Sequence, residues 1–336
     1  GMDHFPEEEL LNRAARGDIS ALAALDAQGF LLKPGEAAEA FVGRIRAMHA
    51  RFRALDERMT ADGSCEVFPG IVIQESARIP DEIMDEAAQE TDSRYGFAIR
   101  WAPGYFPAGG LGFLWGGCAL SDDEPDCVPV FLIRGSFRES ERFFIYSRDE
   151  LLSHELCHAA RAPLSDRIFE EHFAYAGAHS ALRRYMGNCF QSDFDALLFL
   201  LPILLLLGIQ IAVYAFGWHQ IPAYPFWILA LAWPAYLLIR NALQRKTYFR
   251  AERILRECGF ARPAAVLFRC TSAEIARFAR LAASDLKRTL DELAQTDLRM
   301  KITLYRFQNE GELNHADDQR SECLSGRDSE SESLRE

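Results

Sequence analysis

The sequence predicts an α+β fold in which helices flank a small sheet and two further apolar helices form a hairpin. Three observations lead to this prediction. Apolar residues recur every three or four positions between residues 34 and 59, as on one face of a helix. Short extended runs broken by turn residues follow from about residue 67 to residue 147. Two long uncharged runs then fill most of residues 196–239.

The composition limits the classes of function. With 336 residues, 49% of them hydrophobic, the chain is long enough to bury a core, and global disorder is excluded. The formal net charge of -12 argues against nucleic acid as the main partner, because phosphate binding needs an excess of clustered lysine and arginine. The eight cysteines include no CxxC pair, which indicates a reducing compartment. No basic segment followed by an apolar stretch opens the chain, so we expect no cleavable signal peptide.

Residues 1–62 are predicted to be an N-terminal helical region. Pro6 and the glutamates after it suit a helix start, and Gly17 and Gly29 mark the ends of two short helices. A third helix covers residues 34–59, and we expect its apolar face to be buried. That face consists of Phe41, Ile45, Met48, Phe52, Leu55 and Met59.

Residues 63–190 form the predicted central domain, which begins with a small mixed or antiparallel sheet. One helix, from about residue 80 to residue 91, interrupts the strands. The glycines within PAGGLGFLWGG match neither phosphate-binding spacing, so we interpret this stretch as a hairpin or a cleft loop. The predicted strands lie in FPGIVI (68–73), YGFAIRW (95–101), LGFLW (111–115), VPVFLI (128–133) and RFFIYS (142–147).

Two helices are predicted after the last strand. Ser147 and Glu150 have the spacing of a capping box, which starts a helix over about residues 148–161. Pro163 ends that helix, and a second one follows over about residues 166–186.

The first of these helices contains the pentapeptide His154-Glu155-Leu156-Cys157-His158. Residues four apart lie on one face of a helix, so His154 and His158 can present two imidazoles to one metal ion. Glu155 is rotated away from that pair and can take a proton from a water activated by the metal. This pattern predicts a Zn²⁺ site with Glu155 as the catalytic general base.

The pentapeptide resembles the active-site helix of the zincin metallopeptidases. The metzincin branch of that group would place a third histidine at position 164, which is a leucine here. The gluzincin branch takes its third ligand from a glutamate on the following helix, in an E-x-x-A setting that Glu171 and Ala174 match. The resemblance therefore implies that His154, His158 and Glu171 bind zinc.

Two alternatives for the third zinc ligand remain open. Glu170 is the main competitor of Glu171, because the two glutamates are adjacent. A third histidine, either His172 or His179, would instead indicate a three-histidine site. The resemblance covers only about residues 128–186.

A group that stabilises the developing oxyanion is also expected in such a site. Tyr175 and His179 are the first candidates, and Arg183 and Tyr185 are two more on the same predicted helix. Several gluzincins have an acid or an amide at the position of Tyr175, where it orients the first histidine. The residue that orients His154 must therefore lie elsewhere.

The uncharged runs 196–216 and 221–239 are predicted to be a transmembrane helical hairpin, residues 196–239. The first run has 21 residues, enough for about 30 Å of helix, the thickness of a bilayer's hydrocarbon core. Basic residues flank both runs and are absent from the loop between them. We therefore expect two spans in the inner (cytoplasmic) membrane, with both termini in the cytoplasm.

The remaining chain divides into two parts. Residues 240–310 are predicted to be a cytoplasmic helical region, with a second capping box at Thr271 and Glu274. Residues 311–336 lack apolar periodicity and are predicted to be a disordered acidic tail.

Together these features predict a membrane-anchored zinc metallopeptidase with a cytoplasmic active site. Its partners would be a protein or peptide substrate, including membrane-proximal segments, and the lipid bilayer. The alternative is a membrane scaffold or sensor of zincin fold that binds zinc or peptide without catalysis. The first hypothesis needs Glu155 for its function, and the second does not.

Overall fold

The computed structural model describes residues 4–68, 71–106, 117–119, 131–133, 142–143 and 146–308. This part of the chain is mostly helical, with small sheets. The helices are α1 Glu8–Ala15, α2 Ile19–Ala27, α3 Ala38–Asp62, α4 Asp81–Tyr95, α5 Arg148–Arg161, α6 Glu170–Tyr175, α7 Ala181–Met186, α8 Asp193–Phe216, α9 Tyr224–Glu257, α10 Pro263–Phe268, α11 Ser272–Phe278, α12 Ala283–Thr296 and α13 Leu298–Phe307. The strands are β1 Ser64–Phe68, β2 Ile71–Gln74, β3 Gly104–Tyr105, β4 Gly117–Ala119, β5 Phe131–Ile133, β6 Arg142–Phe143 and β7 Tyr146–Ser147.

The three N-terminal helices form as their sequence predicts. All six apolar residues of the predicted α3 face are buried. Gly29, with φ +87°, ends α2 in the left-handed region that glycine adopts without strain. A Cβ atom there would lie 2.9 Å from Cδ1 of Ile99, so the close approach of the next segment also requires glycine.

The sheets are small and include both strand directions, as expected. β1 and β2 pair antiparallel, and β6 and β7 do the same. In the third sheet, β5 pairs parallel with β3 and antiparallel with β4. The prediction of a strand at residues 95–101 was wrong, because α4 continues to Tyr95 and residues 96–101 pair with no strand in the described part of the chain. Phe97 and Ile99 pack into the core instead. The predicted strand 111–115 lies outside the described residues.

Helix α5 has the predicted bounds but not the predicted cap. The Ser147 side chain makes no capping hydrogen bond. The Glu150 carboxylate instead accepts from the guanidinium of Arg183 and from the backbone N–H of His179. The predicted single helix over residues 166–186 was also wrong: α6 ends at Tyr175 and α7 begins after a turn that contains Gly177. Glycine is a poor helix former, and the buried carboxylate stabilises the open N–H of this turn.

Helices α8 and α9 form the predicted apolar hairpin. Both are long and apolar enough to cross a membrane, and their most apolar windows are only 6% and 17% buried. A core helix of the same composition would be mostly buried. The 34 residues of α9 make a helix of about 51 Å. Its second half enters the body of the protein, where Tyr248, Ala251 and Leu255 are buried.

Polar contacts hold the base of the hairpin against the body. Arg240 pairs with the buried Asp195 at 2.7 Å and donates to the carbonyl of Cys189. Asn241 donates to the carbonyl of Tyr185 at 2.7 Å. These contacts mark the level at which the apolar helices leave the body.

Residues from both ends of the chain share one hydrophobic core with α4, α5, α6 and α9. Arg269 is fully buried and pairs with Asp26 of α2 at 2.8 Å, and it also donates to the carbonyl of Tyr95. The capping box of Thr271 and Glu274 is confirmed at the start of α11. Residues 311–336, the predicted tail, lie outside the described residues.

Candidate metal centre

Packing of α5 against α6 brings three predicted metal ligands together. The Nε2 atoms of His154 and His158 lie 3.0 Å apart. The carboxylate of Glu171 approaches both, with Oε2 3.6 Å from Nε2 of His154 and Oε1 3.4 Å from Nε2 of His158. One ligand atom from each of the three side chains lies within 4.8 Å of the others, and all three side chains are partly accessible.

These distances suit a zinc ion. In a tetrahedral site with bonds of about 2.0–2.1 Å, neighbouring ligand atoms lie about 3.3–3.4 Å apart. The two imidazole nitrogens are 3.0 Å apart and lie 3.4 and 3.6 Å from the two oxygens of Glu171, which is close to that value. Two imidazoles and one carboxylate are also the ligand set of zinc peptidases that leave a fourth position for substrate or water. The residues present therefore fit the metal.

Glu170, the competitor for third ligand, has a different position. Its Oε1 lies 3.7 Å from Nδ1 of His158, and its Oε2 accepts from Nε of Arg161 at 3.0 Å. Since Nε2 of His158 is the atom next to His154 and Glu171, Glu170 contacts the other side of the imidazole. This is where carboxylates that orient a ligating histidine are found.

Arg161 holds Glu170 in position. From the sequence, Arg161 was given no role in the site. Its side chain is fully buried, lies over the ring of Phe173 at 4.3 Å, and pairs with Asp166 at 3.5 Å. It also donates to the carbonyls of Phe268 and Cys270, which follow more than 100 residues later. A charged residue among the uncharged residues at the end of α5 could have suggested a buried ion pair, but the sequence does not show which residues are its partners.

The buried charges act on the two imidazoles in opposite directions. Burial, His158 and Arg183 hold the pKa of His154 well below its usual value. Burial also disfavours the charged form of His158, but Glu170, Glu171 and Glu155 outweigh it and raise its pKa to about 9. Burial and the neighbouring glutamates raise the pKa of Glu171. A metal ion needs both imidazoles neutral, so its binding would release a proton here.

Glu155, the predicted general base, is buried, with 8% of its surface exposed. Its charge raises the pKa of both His158 and Glu171. The neighbouring Cys157 packs into the core, and burial raises the pKa of its thiol. Cys157 therefore has the surroundings of a structural residue.

The structure does not bring either alternative histidine into the group. His172 is buried against Tyr248 of α9, with ring centroids 4.1 Å apart, and burial lowers its pKa to about 3. His179 is 62% exposed and contacts Asp149 and Glu150, one turn before His154.

Of the predicted stabilising groups, Tyr175 lies at the metal centre. Its ring meets the ring of His154 edge-on, with centroids 4.5 Å apart. The guanidinium of Arg183 lies 6.0 Å from the Tyr175 ring, and its charge acts on His154. Glu150, one helical turn before His154, holds Arg183 in place.

A cleft of about 320 Å³ opens beside the start of α5. It reaches Ser153, the neighbour of His154, but the metal-ligand atoms are not part of its lining. Among the described residues, the side chains that could converge on a metal ion are His154, His158 and Glu171, which lie outside this lining. The lining residues are Glu86, Glu90, Ser147, Arg148, Asp149, Glu150, Ser153, Gly177 and His179.

Comparison with known proteins gave no matching family model, no matching curated protein and no matching solved structure. Any inference about function therefore depends on the arrangement of His154, His158, Glu171 and the side chains around them.

Proposed function

We propose that this chain is a membrane-anchored zinc metallopeptidase of the gluzincin type, with its active site on the cytoplasmic side. The observation that carries the proposal is the meeting of His154, His158 and Glu171 at separations suited to one zinc ion. The buried carboxylate of Glu155 beside them supplies the general base that peptide hydrolysis needs.

When bound, zinc would polarise the substrate carbonyl and lower the pKa of water toward neutrality. Glu155 takes the proton from the attacking water and delivers it to the amide nitrogen that leaves. Glu170 holds the imidazole of His158 in the orientation for binding. Tyr175 and Arg183 lie on the His154 side, where they can donate to the carbonyl oxygen as it acquires negative charge.

The membrane anchor is the α8–α9 hairpin, and the basic residues on both flanks favour a cytoplasmic body. Accessible apolar side chains on two helices of this length would be unfavourable in water. A bilayer removes that cost, since the thickness of its hydrocarbon core suits α8 and the apolar first half of α9.

The proposal is tested on the full-length chain, purified in detergent. We expect about one zinc ion per chain in metal analysis and hydrolysis of some members of a peptide library. Glu155→Gln should keep the zinc and abolish hydrolysis, because the amide cannot accept the proton. Glu292→Gln, on the exposed face of α12, is the matched control and should behave as the wild type.

Two outcomes would count against the proposal in different ways. A folded wild-type chain that takes up no zinc removes the metal centre. A chain that binds zinc but hydrolyses no peptide supports the alternative, a scaffold or sensor without catalysis.

A further inference from the structure

Helix α7 exposes its apolar residues, which is unusual for a helix on a water-facing surface. Leu182 is 70% exposed and Tyr185 is 40% exposed, and α7 buries none of its residues. Of its two arginines, Arg183 turns inward and pairs with Glu150, whereas Arg184 is exposed and donates to the carbonyl of Ala178. A helix in contact with water would bury its apolar residues and expose its charges.

The apolar surface of α7 continues into the hairpin. Phe190 and Phe194 are exposed, and the ring of Phe190 packs against that of Phe199 in the first turns of α8, with centroids 5.6 Å apart. No acidic residue occurs between residues 181 and 192. Exposed Lys246 and Arg250 of α9 follow the base of the hairpin. Apolar side chains next to basic ones, beside membrane-spanning helices, are typical of a surface that lies in an anionic bilayer interface.

This surface is joined to the metal centre through Tyr175. The Tyr175 ring meets His154 on one side. On the other side it lies against Gly187, the first residue after α7, so closely that a Cβ on Gly187 would be 2.7 Å from Cβ of Tyr175.

We infer that α7 and the segment to residue 192 rest in the headgroup layer of the bilayer, so that the metal centre opens at the membrane surface. The substrate class is then a polypeptide segment held at that surface, such as the membrane-proximal part of an integral or lipid-anchored protein. The location of α7 stands on its own, and the substrate class rests on the proposed function.

The location is tested with a photo-crosslinking amino acid in the full-length chain, in nanodiscs of phosphatidylcholine and phosphatidylglycerol. Placed at position 182, it should form adducts with lipid, which mass spectrometry detects. Position 204, inside α8, is the positive control for insertion. Position 305, an exposed tyrosine of α13, is the negative control. Lipid adducts at 204 without adducts at 182 would overturn the inference, whether or not any peptide is cleaved.

The substrate class is tested with one cleavable peptide in three forms: free, lipid-anchored through a short spacer, and lipid-anchored through a long spacer. Cleavage of the short-spacer form should exceed that of the free peptide by about tenfold or more, because the anchor raises its effective concentration at the membrane surface.

Leu182→Glu should reduce this preference and leave cleavage of the free peptide unchanged, whereas Tyr305→Glu should alter neither. Equal cleavage of all three forms would overturn the substrate class while leaving the peptidase proposal in place. Faster cleavage of the long-spacer form would show that the site stands away from the bilayer and would also overturn it.

Discussion

Oε1 of Glu170 lies 3.7 Å from Nδ1 of His158, on the side of the ring opposite the atom that faces His154. The adjacent Glu171 approaches the other nitrogen of the same ring. Two neighbouring glutamates thus contact one imidazole from its two sides. Glu171 has the position expected of a metal ligand, and Glu170 has the position expected of a residue that orients the imidazole.

The first prediction separates these two roles. Glu171→Gln should abolish tight zinc binding, because it removes a charged ligand. Glu170→Gln should weaken zinc binding by about 10–100-fold, the usual effect of losing an orienting carboxylate. Competition with a chromophoric chelator measures both affinities. A larger loss of zinc affinity in Glu170→Gln than in Glu171→Gln would mean that Glu170 is the ligand and Glu171 the orienting residue.

The second prediction concerns Arg161, whose guanidinium joins Glu170 to the carbonyls of Phe268 and Cys270. Arg161→Met should lower the free energy of unfolding by about 3–5 kcal/mol, because it leaves buried acceptors and Glu170 without their cation. Denaturant unfolding in detergent measures the loss. Arg288→Met, at a 70% exposed side chain of α12, is the control and should change stability by about 0.5 kcal/mol or less. A similar small change in both variants would contradict the structural role of Arg161.

The third prediction concerns the contact of Gly187 with Tyr175. Gly187→Ala should cost about 1–3 kcal/mol of stability, because the added methyl group must displace the Tyr175 ring. The same displacement should weaken zinc binding, since that ring packs on His154. Gly43→Ala is the control: its Cβ would meet nothing within 4 Å, and it lies inside α3. There alanine should stabilise the helix by about 0.5–1 kcal/mol. Unchanged zinc affinity in Gly187→Ala would argue against this coupling.

The fourth prediction is a pH dependence that arises at Glu274. Burial disfavours its ionised form, but Arg299 and the backbone N–H of Thr271 outweigh this and lower its pKa. A carboxyl whose pKa is lower in the folded state contributes stability above its unfolded pKa and loses it as the pH falls through the folded pKa. Glu274→Gln should therefore cost about 3 kcal/mol at pH 7. The difference from the wild type should shrink in acid.

Unfolding in denaturant at pH 7 and at successively lower pH measures this difference. Glu292→Gln, at an exposed position of α12, should show no such convergence. A cost that stays constant with pH would mean that Glu274 acts through its shape rather than its charge.

Local patterns explain how much of the structure could be predicted. The meeting of His154 with His158 follows from helical periodicity, the end of α5 follows from Pro163, and the hairpin follows from uninterrupted apolar length. Glu171 was predicted from the resemblance, through the spacing of one motif, and the structure brings it to the two histidines.

The features that could not be predicted depend on distant parts of the chain. Arg161 finds its carbonyl partners more than 100 residues later, and Asp26 meets Arg269 across 243 positions. The break between α6 and α7 depends on a carboxylate from α5 that accepts the His179 N–H. Ser147 and Glu150 show the same limit, because a tertiary partner, Arg183, takes the carboxylate that the local motif would use.

The dependence of Arg161 on the carbonyls of Phe268 and Cys270 sets an order of events during synthesis. A ribosome makes α5 first, then the apolar hairpin, and only afterwards the residues that complete the surroundings of Arg161. The surroundings of Arg161, and with them its contact to Glu170, are therefore complete only after both apolar helices have been made. On the proposed function, hydrolysis would then begin only once the membrane anchor itself has been made.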